Sequence, residues 1–176
     1  MGKKITIIAI TLAFGLIFQT ATPQQKAYAQ QQSDIFHTSG LPIPRFVSLR
    51  SDKVFVRTGP ALRYPIKWVF KKKSLPIEII QEFDTWRKIK DSEGEEGWIH
   101  QSLLSGKRTA LVKEEAGAYL LRKLSQNAQP AALLEKDVLV EVEKCQGAWC
   151  FVKTDSFKGW IERKSLWGIY ETEELN

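Results

Sequence analysis

Two histidines and a group of carboxylates are the side chains of this 176-residue chain that could act as acids or bases. Catalysis needs such a group beside a nucleophile or a metal, held in a defined constellation. His37 lies in a polar stretch and His100 follows a Gly-Trp-Ile segment, and neither accompanies a recognisable nucleophile motif. Glu93, Glu95 and Glu96 form a charged turn of the kind that normally faces solvent. The sequence therefore predicts no catalytic residues, no cofactor and no enzyme activity.

Two cysteines could form a disulfide. Cys145 and Cys150 lie on either side of the segment 146–149, where a hairpin turn would place them directly opposite each other. The valines at 138, 140 and 142 point to one face of a regular strand and Cys145 to the other, a conflict that a β-bulge at the turn would resolve. Two free thiols are the alternative. Two cysteines without a nearby histidine cannot complete a zinc shell, so no metal site is predicted.

Aromatic and basic side chains in the first half of the chain could bind a ligand. Counted back from the expected core position Ile89, Trp86 falls on the opposite face of a regular strand, where an indole offers a large contact area. Trp149 has the same position in a later segment. The predicted ligand-binding residues are Tyr64, Trp68, Trp86, Lys71, Lys72 and Lys73. Alternatively, Trp86 covers a barrel end or a domain seam, and the lysine turn protects a sheet edge.

The charge is unevenly distributed along the chain. The formal net charge is +6, of which the first 29 residues supply three lysines and no acid. Residues 45–106 carry a net +4, whereas residues 107–176 are neutral. A field of this size does not predict nucleic-acid binding, but it could attract an anionic wall polymer or an acidic partner to the first half.

The N-terminus has the pattern of a secretory signal peptide. Lys3 and Lys4 precede an apolar run at 5–18, and the small residues of 27–29 predict cleavage after Ala29. An uncleaved membrane anchor is the alternative, although the apolar run is short for a bilayer. Export to an oxidising compartment, in this case the periplasm, would favour the disulfide. The following segment, 30–44, is rich in Gln and Pro and predicts a flexible linker.

The elements that must position these side chains occur twice, about 62 residues apart. Trp86 and Gly97-Trp98-Ile99 in the first copy correspond to Trp149 and Gly159-Trp160-Ile161 in the second. A repeat of this length is a whole small domain. We expect the Gly-Trp-Ile strands to build the barrels and the other two tryptophans to face a partner.

Short strands with tight turns follow the same order in each copy. In the first, period-two or β-rich runs occupy 45–50, 54–57, 66–70 and 75–80, ahead of the Trp86 and Gly97-Trp98 strands. Strands this short become stable by curling into a small closed barrel. We therefore predict an all-β protein with two small tandem barrels, at 45–106 and 107–170, and an acidic tail at 171–176.

The first copy carries the residues of a known family. The segments Val56-Arg57-Thr58-Gly59-Pro60, Trp86-x-x-Ile89 and Gly97-Trp98-Ile99-His100 resemble the bacterial SH3 (SH3b) pattern. Over 45–170 the chain resembles exported tandem SH3b proteins of alphaproteobacteria. The second copy has Lys123-Leu124-Ser125 where the Gly-Pro turn belongs, so a ligand role is not carried over to that turn. The resemblance implies an SH3-like barrel in each copy, and binding of cell-wall material or peptides.

These observations together predict an exported, non-enzymatic binding protein. Its expected ligand is peptidoglycan or an extended peptide in the cell envelope. The alternative is a periplasmic scaffold that docks another envelope protein through the surface between the barrels. Export disfavours nucleic acid as a partner, and no stable membrane anchor is expected once the signal peptide is removed.

Overall fold

The computed structural model of the protein describes residues 39–124 and 128–175. The expected signal peptide, its cleavage site at Ala29, His37 and most of the expected linker lie outside the described residues. Within the described part of the chain there are fourteen β-strands and two short 3-10 turns, which confirms the predicted all-β class. No helix in these two ranges has the length and hydrophobicity needed to cross a membrane.

The first barrel is one sheet of seven strands. In chain order these are β1 (Arg45–Leu49), β2 (Val54–Arg57), β3 (Ile66–Phe70), β4 (Pro76–Phe83), β5 (Trp86–Lys90), β6 (Glu96–His100) and β7 (Leu104–Ser105). The spatial order is β3-β2-β6-β5-β4-β1-β7 with antiparallel pairs, and a 3-10 turn at Gln101–Leu103 joins β6 to β7. Pro76 begins its strand, where the missing N–H costs no ladder bond.

The second barrel repeats the first. Its strands are β8 (Thr109–Val112), β9 (Ala118–Leu121), β10 (Pro130–Leu134), β11 (Leu139–Gln146), β12 (Trp149–Lys153), β13 (Lys158–Glu162) and β14 (Leu166–Trp167). The spatial order β10-β9-β13-β12-β11-β8-β14 is that of the first barrel shifted by seven. The predicted duplication is therefore present in the topology as well as in the residues.

The glycine of each Gly-Trp-Ile segment allows the barrel to close. A Cβ on Gly97 would lie 2.3 Å from the Val56 side chain, and a Cβ on Gly159 would lie 2.4 Å from the Leu121 carbonyl oxygen. No other residue could bring β6 this close to β2, or β13 this close to β9. The isoleucine two positions later is fully buried in each barrel, so the segment also supplies the core.

Each barrel has its own hydrophobic core. Leu49, Val54, Ile77, Ile89 and Ile99 are among the buried residues of the first. The core of the second includes Val112, Leu120, Val140, Val152 and Ile161, together with both cysteines. Two separate cores are the expected arrangement for two domains that each bury the inward face of a curled sheet.

The cysteines form the predicted disulfide. Cys145 and Cys150 are paired in register between β11 and β12, both are fully buried, and their sulfurs are bonded. A bulge is present as the valine pattern required, but it lies within β11, between Val142 and Lys144, and not at the turn. The turn is shorter than the predicted four-residue loop because Gln146 and Trp149 are themselves paired.

The two barrels pack against each other. The Phe46 ring of β1 lies 5.2 Å from the Trp167 ring and 4.6 Å from the Tyr170 ring of the second barrel. The Tyr170 hydroxyl donates a 2.7 Å hydrogen bond to the Glu78 carboxylate of the first barrel. Burial raises the pKa of Tyr170 and the bond to Glu78 raises it further, so the hydroxyl stays a donor across the physiological range. The seam between the barrels is a specific contact.

Candidate ligand-binding groove

A groove of about 930 Å³ lies where the two barrels meet. Its aromatic wall consists of Trp68 and Phe70 from β3 and Trp167 from β14. Leu75, Pro76, Leu111 and Val112 add apolar surface between them. A cleft between two domains is a common location for a ligand-binding site.

The rim of the groove carries charges of both signs. Its basic members are Lys67, Lys72, Lys113 and Lys136, and its acidic members are Asp91, Glu93, Glu95 and Asp137. Lys67 Nζ lies 3.0 Å from a Glu95 carboxylate oxygen and 5.0 Å from the centre of the Trp68 ring. A rim of this kind complements a ligand that itself carries both an amine and a carboxylate, because each ligand charge finds an opposite one.

Trp68 is held in the groove wall by its neighbours. β3 pairs with β2 so that Trp68 faces Val56, and the Phe70 ring contacts the indole edge-on at 5.8 Å. The indole Nε1 is buried and has no hydrogen-bond partner among the described residues. A buried N–H without an acceptor is unfavourable by about 1–3 kcal/mol, so ring packing rather than a hydrogen bond holds Trp68 in the wall.

Comparison with known proteins settles the family. The family model described as bacterial SH3 domain matches residues 50–106 and 114–168, which is more than half of the chain. The chain belongs to the bacterial SH3 domain family. It holds two such domains in tandem, as the sequence pattern predicted. No curated protein matches the chain in sequence.

Two solved structures show a distant similarity to the chain. NlpC2 from Trichomonas vaginalis aligns with a TM-score of 0.34 and 11% identity over 76% of this chain and 51% of that one. NlpC1 from the same organism aligns with a TM-score of 0.33 and 11% identity over 73% and 47%. The chain thus spans about half the length of these proteins.

Only part of the predicted ligand site lies at the groove between the two SH3 domains. Trp68 and Lys72 line it, whereas Tyr64, Lys71 and Lys73 do not. The Tyr64 ring lies so close to Gly59 that a Cβ there would be 2.6 Å away. Arg57 donates a 2.8 Å bond to the Tyr64 carbonyl, so Tyr64 holds the turn of the first SH3 domain in place.

Trp86 is the clearest departure from the prediction. Its side chain is 8% exposed, and its ring contacts His100 edge-on at 5.5 Å. It is paired between Phe83 and His100 on neighbouring strands and does not line the groove. The expectation that strand parity leaves this indole open to a ligand is wrong. Parity predicts the face of the sheet to which a side chain points, but it does not predict whether other residues cover that face.

His100 has a structural role in the first SH3 domain. Its Nδ1 lies 2.8 Å from the Ser102 hydroxyl and accepts a bond from the Ser102 N–H, which caps the 3-10 turn after β6. Within residues 39–124 and 128–175, no group of three or more His, Cys, Asp or Glu side chains is placed to hold a metal ion.

The structure adds groove residues that the sequence did not single out. Phe70 and Trp167 complete the aromatic wall. Asp91 lies in the acidic rim together with Glu93 and Glu95, which the sequence predicted only as a solvent-facing turn. Trp167 follows the second 3-10 turn at the place that Ser105 has in the first SH3 domain. The sequence offered one signal for Trp167 as a groove residue: it is an aromatic residue on a short edge strand, at a position where the other copy has a serine.

Proposed function

We propose that this protein is an exported, non-enzymatic binding protein that holds a short zwitterionic peptide of the bacterial cell envelope in the groove between its SH3 domains. The peptide stem of peptidoglycan is the ligand class that fits best. The observation that carries the proposal is the combination of a three-membered aromatic wall with a rim of four lysines and four carboxylates. Membership of the bacterial SH3 family supports a cell-wall ligand.

Each part of the groove has a task in this proposal. The faces of Trp68 and Trp167 contact the apolar side chains of the peptide, since an indole offers a large rigid surface at low entropic cost. Lys72 and Lys113 attract a ligand carboxylate, and Asp91 attracts a ligand amine. No covalent step is involved.

The experiment is retention of the full-length protein on purified, insoluble peptidoglycan. Trp68→Ala and Trp167→Ala should each lower retention about tenfold, in line with the loss of a central aromatic contact. Trp160→Ala is the matched control, because that indole packs on Phe151 and Lys144 outside the groove. Failure of the wild-type protein to be retained, or an equal loss in Trp160→Ala, would contradict the proposal.

A second set of variants tests the rim. Lys72→Gln should weaken binding and reduce its dependence on salt, because one attractive charge is removed. Lys158→Gln is its control, since Lys158 is exposed at the start of β13 and does not line the groove. Equal behaviour of the two variants would mean that the rim does not contact the ligand.

Docking of another envelope protein is the second candidate. It is favoured by the outer face of the β9–β10 pair, where Tyr119 and Leu133 lie opposite each other and are 62% and 51% exposed. Crosslinking in intact cells that captures one protein and no glycan would favour this function over wall binding.

A further inference from the structure

Arg163 is a buried arginine in the second SH3 domain, on the 3-10 turn that follows β13. Its side chain is 5% exposed. One terminal nitrogen, Nη1, donates to the carbonyls of Tyr170, Glu171 and Glu173 at 3.0, 2.8 and 2.6 Å. The other two nitrogens, Nε and Nη2, are buried and have no hydrogen-bond partner in the described part of the chain. Three of the five guanidinium N–H donors are therefore unsatisfied.

The charge of Arg163 is also uncompensated. Arg87, the buried arginine of the first domain, has its Nε 3.1 Å from the carboxylate of Glu82. Arg163 has no carboxylate within ion-pair distance among the described residues, since the nearby Glu173 carboxylate is bonded to Arg108. Buried charges in proteins are normally paired, because removing a lone charge from water is unfavourable by several kcal/mol.

A cavity of about 440 Å³ lies beside this arginine. Its wall is formed by Trp149, Arg163, Lys164, Glu162 and Glu171, with the Gly147-Ala148 turn at one side. Trp149 is half-buried here, whereas its counterpart Trp86 in the first domain is covered. Lys164 pairs with Glu162 at 2.6 Å, which leaves Arg163 as the cation of the wall without an acidic partner.

We propose that this cavity is a carboxylate-binding site, separate from the groove between the domains. The planar Nε and Nη2 edge of a guanidinium matches the two oxygens of a carboxylate, and Trp149 would contact the group attached to it. Both nitrogens are buried, so the wall of the cavity must open locally before a carboxylate can reach them. A peptide C-terminus and an acidic sugar both present this chemistry.

The experiment follows the Arg163 Nε–H and Trp149 indole N–H signals of the full-length protein by NMR. The probes are N-acetylalanine, its amide, and galacturonate. We expect saturable shifts with a carboxylate and none with the amide. A response to N-acetylalanine alone assigns a peptide terminus, a response to galacturonate alone assigns a sugar acid, and a response to both assigns the carboxylate itself. Equal shifts with the amide, or none with any probe, would overturn the proposal and leave a bound water as the partner.

Variants that keep Arg163 test the site without breaking the hydrogen bonds from its Nη1 to the carbonyls of 170, 171 and 173. Trp149→Ala should weaken binding about tenfold by removing the ring contact. Glu171→Gln should tighten it about threefold, because one like charge leaves the wall. Trp68→Ala, in the groove, should leave the titration unchanged. If neither Trp149→Ala nor Glu171→Gln changes the affinity, the cavity is not the binding site.

Discussion

The two SH3 domains use different chemistry at the same point of the fold. In the first domain Glu82 and Arg87 are paired in register between β4 and β5. In the second domain the paired residues at that point are Cys145 and Cys150, between β11 and β12. A buried ion pair and a disulfide thus occupy equivalent cross-strand positions. One stabilisation depends on charge and the other on oxidation, so the two domains should respond to different conditions.

The ion pair is part of a larger buried cluster. The fully buried Glu82 carboxylate accepts bonds from the Ser39 hydroxyl at 2.6 Å, the Ser39 N–H at 2.8 Å and Arg45 at 2.6 Å. Burial alone would raise the pKa of Glu82, but the bonds from Ser39 and Arg45 and the charge of Arg87 lower it to about 2. Residues 39–44, expected as mobile linker, are thereby tied at Ser39 to the first domain.

The disulfide position also ties down a terminal segment. The Cys145 N–H donates to the Leu175 carbonyl at 2.9 Å, and Arg108 pairs with Glu173. The expected acidic tail therefore packs on the second domain. In each domain the same cross-strand point anchors the chain segment that flanks the barrel, from the N-terminal side in the first and the C-terminal side in the second.

Glu82→Gln should produce the largest difference between the domains. Arg87 and Arg45 would lose their buried counter-charge, and breaking a buried pair in this way destabilises by about 3–5 kcal/mol. Urea unfolding followed by the amide signals of Gly97 and Gly159 reports the two domains separately, and only Gly97 should shift to lower urea. Glu96→Gln is the control, since its pair with Lys88 is partly exposed and worth less than about 1 kcal/mol.

Acid should destabilise the first domain more than the second. The ionised Glu82 carboxylate stabilises the fold, because its pKa is lowered to about 2. This contribution is complete at a pH above the ordinary pKa of 4.5 and is lost as the pH falls from there through about 2. The loss is on the order of 3 kcal/mol. Comparing urea midpoints at pH 7 and pH 2 should show a larger drop at Gly97 than at Gly159. An equal drop in wild type and Glu82→Gln would show that another group carries the acid sensitivity.

Reduction of the disulfide should destabilise the second domain. The disulfide closes a short loop, so removing it is expected to destabilise by about 2 kcal/mol. Urea unfolding with and without a thiol reductant should lower the midpoint at Gly159 and leave Gly97 unchanged. Cys145→Ser with Cys150→Ser should reproduce the effect without reductant. A shift at both probes would mean that the domains unfold as one unit.

Tyr170→Phe should have the smallest effect and tests the seam. The variant loses the hydrogen bond to Glu78, which keeps Lys90 as a partner at 2.6 Å. A bond of this kind contributes about 1 kcal/mol. We expect a small fall in both unfolding midpoints, because each domain loses the same seam contact. Unchanged midpoints would assign the stability of the seam to the Phe46 contacts instead.

Much of the fold could be read from local patterns. The strands at 54–57 and 66–70 have their predicted bounds, and the bulge before Cys145 follows from valine parity. The candidate site was less predictable. Of the predicted residues, Trp68 and Lys72 line the groove and Trp86 is covered, whereas Trp167 was not singled out. Parity describes one strand at a time, whereas a groove between domains depends on side chains that are far apart in sequence.

The sequence by itself determined the duplication, the all-β class and the family, and it placed the two cysteines on either side of one turn, because each of these rests on residue types at short or regular spacings. Only the tertiary structure decided that Glu82 meets Ser39 and Arg45, and that Arg163 is buried without a carboxylate. It also decided that Trp86 is covered while Trp149 borders a cavity. These outcomes depend on packing between distant segments, which two copies of one pattern can complete in different ways.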